Sequence, residues 1–359
     1  MLIVFFLPHL LYFSSYWSKI LKMKKDNKPD NTAFTQQRLP AWQPVLSVGI
    51  VLPLFFIIGL AFIGIGIGLL ITSNNIQEFE EEYTGIGDNS NCYICANNAT
   101  ANCKCTLNFT IAQPIQGSVF MYYGLTNYYQ NHQKYLSSRD DQQLAGETYY
   151  LKNPSQSCKP YQMDINNNPI APCGSIANSF FNDAFALYYN NQGFLDEVKL
   201  DGSAIAWWTD HNVKFSNPSQ TGSNLSQIFE GTVKPINWSK PVYNLDVNNP
   251  DNNGFINEDF LVWMRTAALP DFRKLYRRIS GNYSSFMPSG NYTLEITYNY
   301  PVKDLPGKKK VIFSTVSWMG GKNQFLGIAY LVFGSLCFVM GFILLIVYAK
   351  YQNVEDNDD

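Results

Sequence analysis

Residues 45–71 read VLSVGIVLPLFFIIGLAFIGIGIGLLI and residues 325–348 read FLGIAYLVFGSLCFVMGFILLIVY, with no charged residue in either run. An α-helix needs roughly 20 apolar residues to cross about 30 Å of hydrocarbon. Both runs exceed that length, and neither keeps the polar edge typical of a buried core helix. They are read as two transmembrane helices. The 359-residue chain then divides into an apolar extension (1–22), a short polar segment (23–44), the first span (45–72), a large loop domain (73–324), the second span (325–348) and an acidic tail (349–359).

The rest of the composition fits. Mean hydropathy is only −0.14 although 46% of residues are hydrophobic, so apolar character is concentrated in a few places. A net charge of −2 gives no basic surface for nucleic acid.

Orientation follows from flanking charge. Lys19, Lys22, Lys24, Lys25, Lys28 and Arg38 precede the first span, and Glu78, Glu80, Glu81 and Glu82 follow it. Both termini are therefore expected in the cytoplasm. The second span alone argues the reverse, with Lys308, Lys309, Lys310 and Lys322 before it and Lys350 after. The first span takes precedence because it inserts first and long loops count weakly.

The loop domain carries every N-x-S/T sequon, at Asn98, Asn108, Asn224, Asn237, Asn282 and Asn291, and an even number of cysteines. Both fit a lumenal or extracellular, oxidising location. The cysteines are Cys92, Cys95, Cys103, Cys105, Cys158 and Cys173. The first four have spacing that zinc would accept, but the compartment favours disulfides. Four cysteines allow three connectivities. One of them, Cys92–Cys105 outside Cys95–Cys103, would staple a hairpin in register, and Cys158–Cys173 would close a loop of its own. Cys337, inside the second span, reads as an inert apolar residue.

Residues 1–22 lack the basic start and small-residue cleavage site of a signal peptide. Met23 begins MKKDNKPDNTAF and reads as a natural start, leaving 1–22 as an extension that does not fold with the rest.

Within the loop domain, Phe109–Ile115, Ser118–Tyr123, Tyr292–Tyr300 and Val311–Trp318 read as strands. Leu125–Ser138, Ile176–Tyr188, Glu258–Ala268 and Asp271–Ile279 read as helices, the last with Phe272, Leu275, Tyr276 and Ile279 on one face and its basic residues facing solvent, lipid headgroups or an acidic partner. The expected fold is an α+β domain with a sandwich-like antiparallel sheet core, stapled by disulfides.

Catalytic signatures do not emerge. The chain has no G-x-S-x-G, H-E-x-x-H or G-x-x-x-x-G-K-[ST]. His132 and His211 read as structural. Asn249, Asp251, Asn253 and Gly254 imitate the start of a calcium loop, but Phe260 stands where a bidentate Glu is required. No catalytic residue, cofactor or metal is expected. Glycines in the spans say more. Gly64 and Gly68 form G-x-x-x-G, and Gly327, Gly334 and Gly341 recur every seven residues along one side of the second span. Small residues let helices approach closely in lipid, either each other or a third helix from a larger membrane protein. No ionisable residue lies in either span, so this chain alone offers no path for an ion or substrate.

Several motifs together resemble one family. They are KPDNTAFTQQRLPAWQP (28–44), the C-x2-C…C-x-C cluster, NYYQNHQKYLSSRDDQQL (127–144), PCGSIANSFFND (172–183), IAWWTDHNVKF (205–215), NEDFLVWMRTAALPDFRKLYRRI (257–279), YNYPV (298–302) and STVSWMGGKNQFLGIAYLV (314–332). They are similar to the cell division control protein 50 (ligand-effect modulator 3) family, the accessory (beta) subunits of type IV P-type ATPases, which are phospholipid flippases. The resemblance runs from about residue 28 to 350.

The resemblance implies a two-span subunit whose glycosylated, disulfide-bonded ectodomain sits over the ATPase's outward loops. The ATPase would need it to leave the endoplasmic reticulum and to complete its cycle. It also implies the nested pairing of Cys92–Cys105 and Cys95–Cys103, together with Cys158–Cys173, and carries glycosylation best at Asn108 and Asn291. The catalytic aspartate belongs to the partner. Residues before Met23 depart from the family's pattern. Expected partners are the ATPase and membrane lipids, within the secretory pathway or plasma membrane. A stand-alone two-span lipid or ligand receptor is the alternative, and a tethered ectoenzyme is disfavoured by the missing motifs.

Overall fold

The computed structural model describes residues 30–40, 47–85, 87, 90–97, 103–219, 224–302 and 306–358. The extension 1–22 and Asn98 lie outside the described residues. The chain forms two compact units, each considered by itself: the described parts of Met1–Ile58 with Cys337–Asp359, and Gly59–Leu336.

Helix α1 spans Val48–Asn74. Among the described residues, two helices are long and apolar enough to cross a membrane, Val48–Asn74 and the Phe325–Lys350 stretch of the final helix. In the smaller unit, Phe56 meets Phe338 and Phe342 edge-on at 5.5 and 5.3 Å, and Gly341 lies against the Phe56 ring.

The larger unit is built on strict alternation. Strand β1 is Glu78–Glu82 and β2 is Cys103–Ile111, whose sequence CKCTLNFTI buries Cys105, Leu107, Phe109 and Ile111 and exposes the residues between. Period-2 patterning of this kind places one face of a strand on a core. Strands β3 (Ile115–Gln116), β4 (Val119–Leu125), β5 (Ala184–Asn191), β6 (Phe194–Val198) and β7 (Leu200–Asp201) follow. Helix α2 spans Glu258–Met264, before β8 (Phe272–Ile279), β9 (Phe286–Met287), β10 (Gly290–Tyr298), β11 (Lys309–Thr315) and helix α3 (Phe325–Asp358).

One sheet has the order β1-β11-β4-β8-β7, a second β2-β10-β5-β6, and β3 pairs with β9; all named pairings are antiparallel. The first two sheets share one core. Phe109 and Tyr292 of the second stack at 5.6 Å, and Phe109 also meets Phe79 and Phe313 of the first at 5.0 and 5.6 Å. Such aromatic contacts add to the burial of apolar area that drives the packing.

Three helical expectations are corrected. Asp271–Ile279 is not a helix: Phe272–Ile279 is strand β8, paired with β4 across a bulge. Its apolar residues satisfy a helical spacing, yet burial falls on Lys274, Tyr276 and Ile279, and β4 offers an open edge that a helix cannot use. Ile176–Tyr188 is a one-turn helix, Ser175–Asn178, followed by β5, because β10 takes Ala184–Tyr189 into its ladder. Of Leu125–Ser138 only Gln133–Leu136 is helical, and Leu125 closes β4. The helix expected at Glu258–Ala268 is present as α2. It starts where the Asn257 side chain accepts from Phe260 N, the usual N-cap arrangement. Three of the four expected strands appear as β4, β10 and β11 with shifted ends, whereas Phe109–Ile115 is divided: Phe109–Ile111 closes β2, which starts back at Cys103, and Ile115 opens β3.

Candidate functional site

The glycine positions separate into two groups. A side chain at Gly334 would meet Ile63 Cγ1 at 2.8 Å and Gly59 O at 3.0 Å, and one at Gly327 would meet Leu70 N at 3.0 Å. Gly66 likewise abuts Leu331 and Gly327 O. These residues form the close seam of the two helices, which only small residues permit. Gly64 and Gly68 have nothing within 4 Å of where a Cβ would stand, so the G-x-x-x-G face is turned away from this seam. Where the helices end, Asn323 N donates to Ser73 Oγ at 3.1 Å and Gln324 Nε2 to Asn74 Oδ1 at 2.6 Å.

Disulfides join Cys92 to Cys105 and Cys95 to Cys103, tying the helical turn Tyr93–Asn97 to the start of β2, and Cys158 to Cys173. Cys337 is free. Asn108 and Asn291 face outward on β2 and β10, and Asn224, Asn237 and Asn282 are exposed on loops and turns.

The basic tract at 271–279 is spent internally rather than offered outward. Arg273 pairs with Glu78, Arg277 with Asp259 through both carboxylate oxygens, and Arg278 with Asp201. The Arg278 hydrogen bond holds Asp201 down at about 2, with Ser203 assisting. Lys274 is buried, donating to the carbonyls of Val262, Trp263 and Arg265 at 3.0, 2.7 and 2.7 Å, so it caps the C-terminal end of α2. Burial pulls its amine down to about 7.

A second buried cation was not foreseen. Lys309 is fully buried and donates to Asp183 Oδ2 at 2.7 Å and Tyr300 O at 2.8 Å. Its amine lies 3.1 Å from the centre of the Tyr298 ring. Asp183 also accepts from Tyr83 OH and from the backbone N–H groups of Asn299 and Tyr300. Burial lowers Lys309 to about 8, with Asp183 opposing the shift. The arrangement joins the start of β11 to the start of β5 and the end of β10; it is structural, since the amine and both carboxylate oxygens are engaged within the fold.

An outward-facing surface also emerges at IAWWTDHNVKF. Trp207 and Trp208 are 63% and 71% exposed, just ahead of a π-helical turn, Asp210–Lys214. The Arg265 guanidinium lies 3.9 Å over the Trp207 ring and donates to Asp210, which Lys214 also contacts at 2.9 Å. A cavity of about 430 Å³ opens beside them, also lined by Arg139 and Asp141. Exposed Trp beside Arg is the composition of protein-contact hot spots. The tandem Trp was the available sequence signal. The residues around 249–257 hydrogen-bond one another and nearby backbone, as in Asn253 Nδ2 to Tyr243 O and Asn257 Nδ2 to Asn252 O. Among the described residues, no three His, Cys, Asp or Glu side chains gather as metal ligands.

Comparison with known proteins agrees in extent with this architecture. The model of the LEM3 (ligand-effect modulator 3) family / CDC50 family matches residues 69–354. The chain is 56% identical over 338 residues to cell cycle control protein 50A of Bos taurus, covering 93% of each chain. It is 55% identical over 341 residues to cell cycle control protein 50B of Homo sapiens, covering 93% of this chain and 97% of the relative. It is 36% identical over 331 residues to ALA-interacting subunit 3 of Arabidopsis thaliana, covering 90% and 87%.

Proposed function

Because the chain belongs to the LEM3/CDC50 family, we propose that it is a non-catalytic accessory subunit that binds a type IV P-type ATPase and supports that partner's export from the endoplasmic reticulum and its phospholipid-flipping cycle. The name of the Arabidopsis relative, an interacting subunit, supports an assembly role. The observation that carries the reading is the unoccupied Gly64/Gly68 face, a surface on which a third helix can approach closely. Outside the bilayer, Trp207, Trp208 and Arg265 supply the anchor for the partner's outward loops.

In this reading both termini are cytoplasmic and the ectodomain is lumenal or extracellular. Its exposed sequons carry glycans, and the catalytic aspartate is the partner's. A rigid, stapled ectodomain shifts the partner's conformational equilibrium only if it binds one state more tightly; equal binding changes trafficking but not turnover. Affinity purification of the full chain from membranes tests the proposal. Recovery of a P-type ATPase in near-equal amount is expected, and a chain that purifies alone as a lipid or ligand receptor overturns it.

A further inference from the structure

A groove of about 700 Å³ opens beside the end of α1, between Thr72, Asn75 and Ile76 on one side and the Thr315–Trp318 segment on the other. Gln116, Ser118 and Phe120 complete it, and none of its lining residues carries a charge. The side chains of Asn75, Gln116 and Ser118 are exposed and make no hydrogen bond among the described residues, so their donors are unspent. Trp318 sits on a tight turn closed by reciprocal Ser317–Gly320 backbone bonds, both 2.9 Å, with Gly320 at a positive φ of 101°. It is 82% exposed, beside Val316 at 42%.

The depth of this groove is fixed by the helix ends. Ser73 and Asn74 are tied to Asn323 and Gln324 at its level, so it lies just beyond the apolar spans, where hydrocarbon gives way to headgroups and Trp is enriched. The volume suits a small amphiphile. Ile76, Phe120, Val316 and Trp318 supply apolar walls, while neutral amides and a hydroxyl supply donors for phosphate and ester oxygens. The uncharged lining matches a zwitterionic head.

We propose that this groove seats the phosphate–glycerol region of a zwitterionic phospholipid of the adjoining leaflet, with Trp318 immersed in the bilayer interface. The proposal rests on the two-span, partner-bound reading above and adds a lipid site on this subunit itself.

The test reconstitutes the full chain with its copurified partner in phosphatidylcholine vesicles containing a phosphatidylcholine with a diazirine near the glycerol. After irradiation, adducts are expected on peptides spanning 72–76 or 316–318. In the N75L/Q116L variant they should fall about fivefold or more, the factor expected of one lost hydrogen bond, while adducts along α3 persist. Absence of groove adducts where α3 adducts form overturns the proposal. A photoreactive p-benzoylphenylalanine at position 118 is the second arm. A lipid adduct supports the proposal. An adduct to the partner's polypeptide, or loss of the partner from N75L/Q116L, makes the groove a protein contact and overturns it while leaving the subunit reading intact. Failure of the unsubstituted chain to recover any ATPase strikes the subunit reading instead.

Discussion

The Thr293 hydroxyl donates to Asn108 Oδ1 at 2.9 Å, and Thr110 donates to Asn291 Oδ1 at 2.7 Å. In the β2–β10 register Asn108 stands opposite Thr293 and Asn291 opposite Thr110, so the two sequons cross-pair, each supplying the other's hydroxyl. The carbonyl oxygens are engaged in these pairs, and the amide nitrogens, the atoms that carry sugar, are not part of them. Asn108→Gln and Asn291→Gln should each remove one glycosidase-sensitive step on a gel. Thr110→Ala should remove the Asn108 step alone, at a stability cost of about 0.2–1 kcal/mol for the lost cross-strand pair. Loss of both steps in Thr110→Ala would show that the rungs do not form independently.

Removing one member of the Lys309–Asp183 pair leaves the other charge uncompensated in the core. Asp183→Ala should cost about 3–5 kcal/mol, visible as a large drop in thermal midpoint of the detergent-solubilised chain and as retention in the endoplasmic reticulum. An unchanged midpoint would contradict the burial seen here.

The pH dependence of stability follows from the two buried amines, held near 7 at Lys274 and 8 at Lys309. Their pKa values in the unfolded chain lie at about 10.4. Between about pH 7 and pH 10 the unfolded state therefore binds more protons, so these groups make stability rise with pH through that window and leave it level below the folded values, where both states are protonated. Lys274→Met should flatten part of the rise between pH 7 and 9 in thermal unfolding. A slope identical to that of the unsubstituted chain would count against a depressed Lys274.

Leucine distinguishes the two glycine faces. Gly334→Leu meets Ile63 and the Gly59 carbonyl and should cost about 1–3 kcal/mol as overpacking, lowering yield. Gly64→Leu and Gly68→Leu enter open space, so yield should hold while recovery of the ATPase falls. Full recovery with both substituted would remove the third-helix reading.

Much of this was legible because it is periodic. YTLEITYNY announces a strand by alternation, and the spans announce themselves by unbroken apolarity; in CKCTLNFTI the same alternation starts six residues ahead of the strand expected from Phe109. FRKLYRRI misled because its four apolar residues satisfy a helical spacing, whereas what selects a strand is the β4 edge, far away in sequence. The partners of its charges are also distant: Glu78 lies 195 residues from Arg273, and Asp201 lies 77 from Arg278. The sevenfold glycine spacing placed Gly327, Gly334 and Gly341 on one side, but which glycines meet the neighbouring helix is a property of the pair. The Lys309–Asp183 pair was equally hidden, since a lysine in KKK beside a turn reads as solvated.

Among the described residues, strand β1 is laddered to one strand, β11, and Glu80 lies 230 residues ahead of its Lys310 counterpart. At about 5–20 residues per second, a ribosome leaves β1 waiting roughly 10–50 seconds before its partner exists. Four glutamates in five residues guard that idle edge against unwanted pairing, because charge on an open strand discourages association. When β11 arrives, Lys308 and Lys310 neutralise two of them. The last strand to be synthesised is thus the one that joins β1 to the sheet, so that sheet cannot be complete until the chain has been made as far as Thr315.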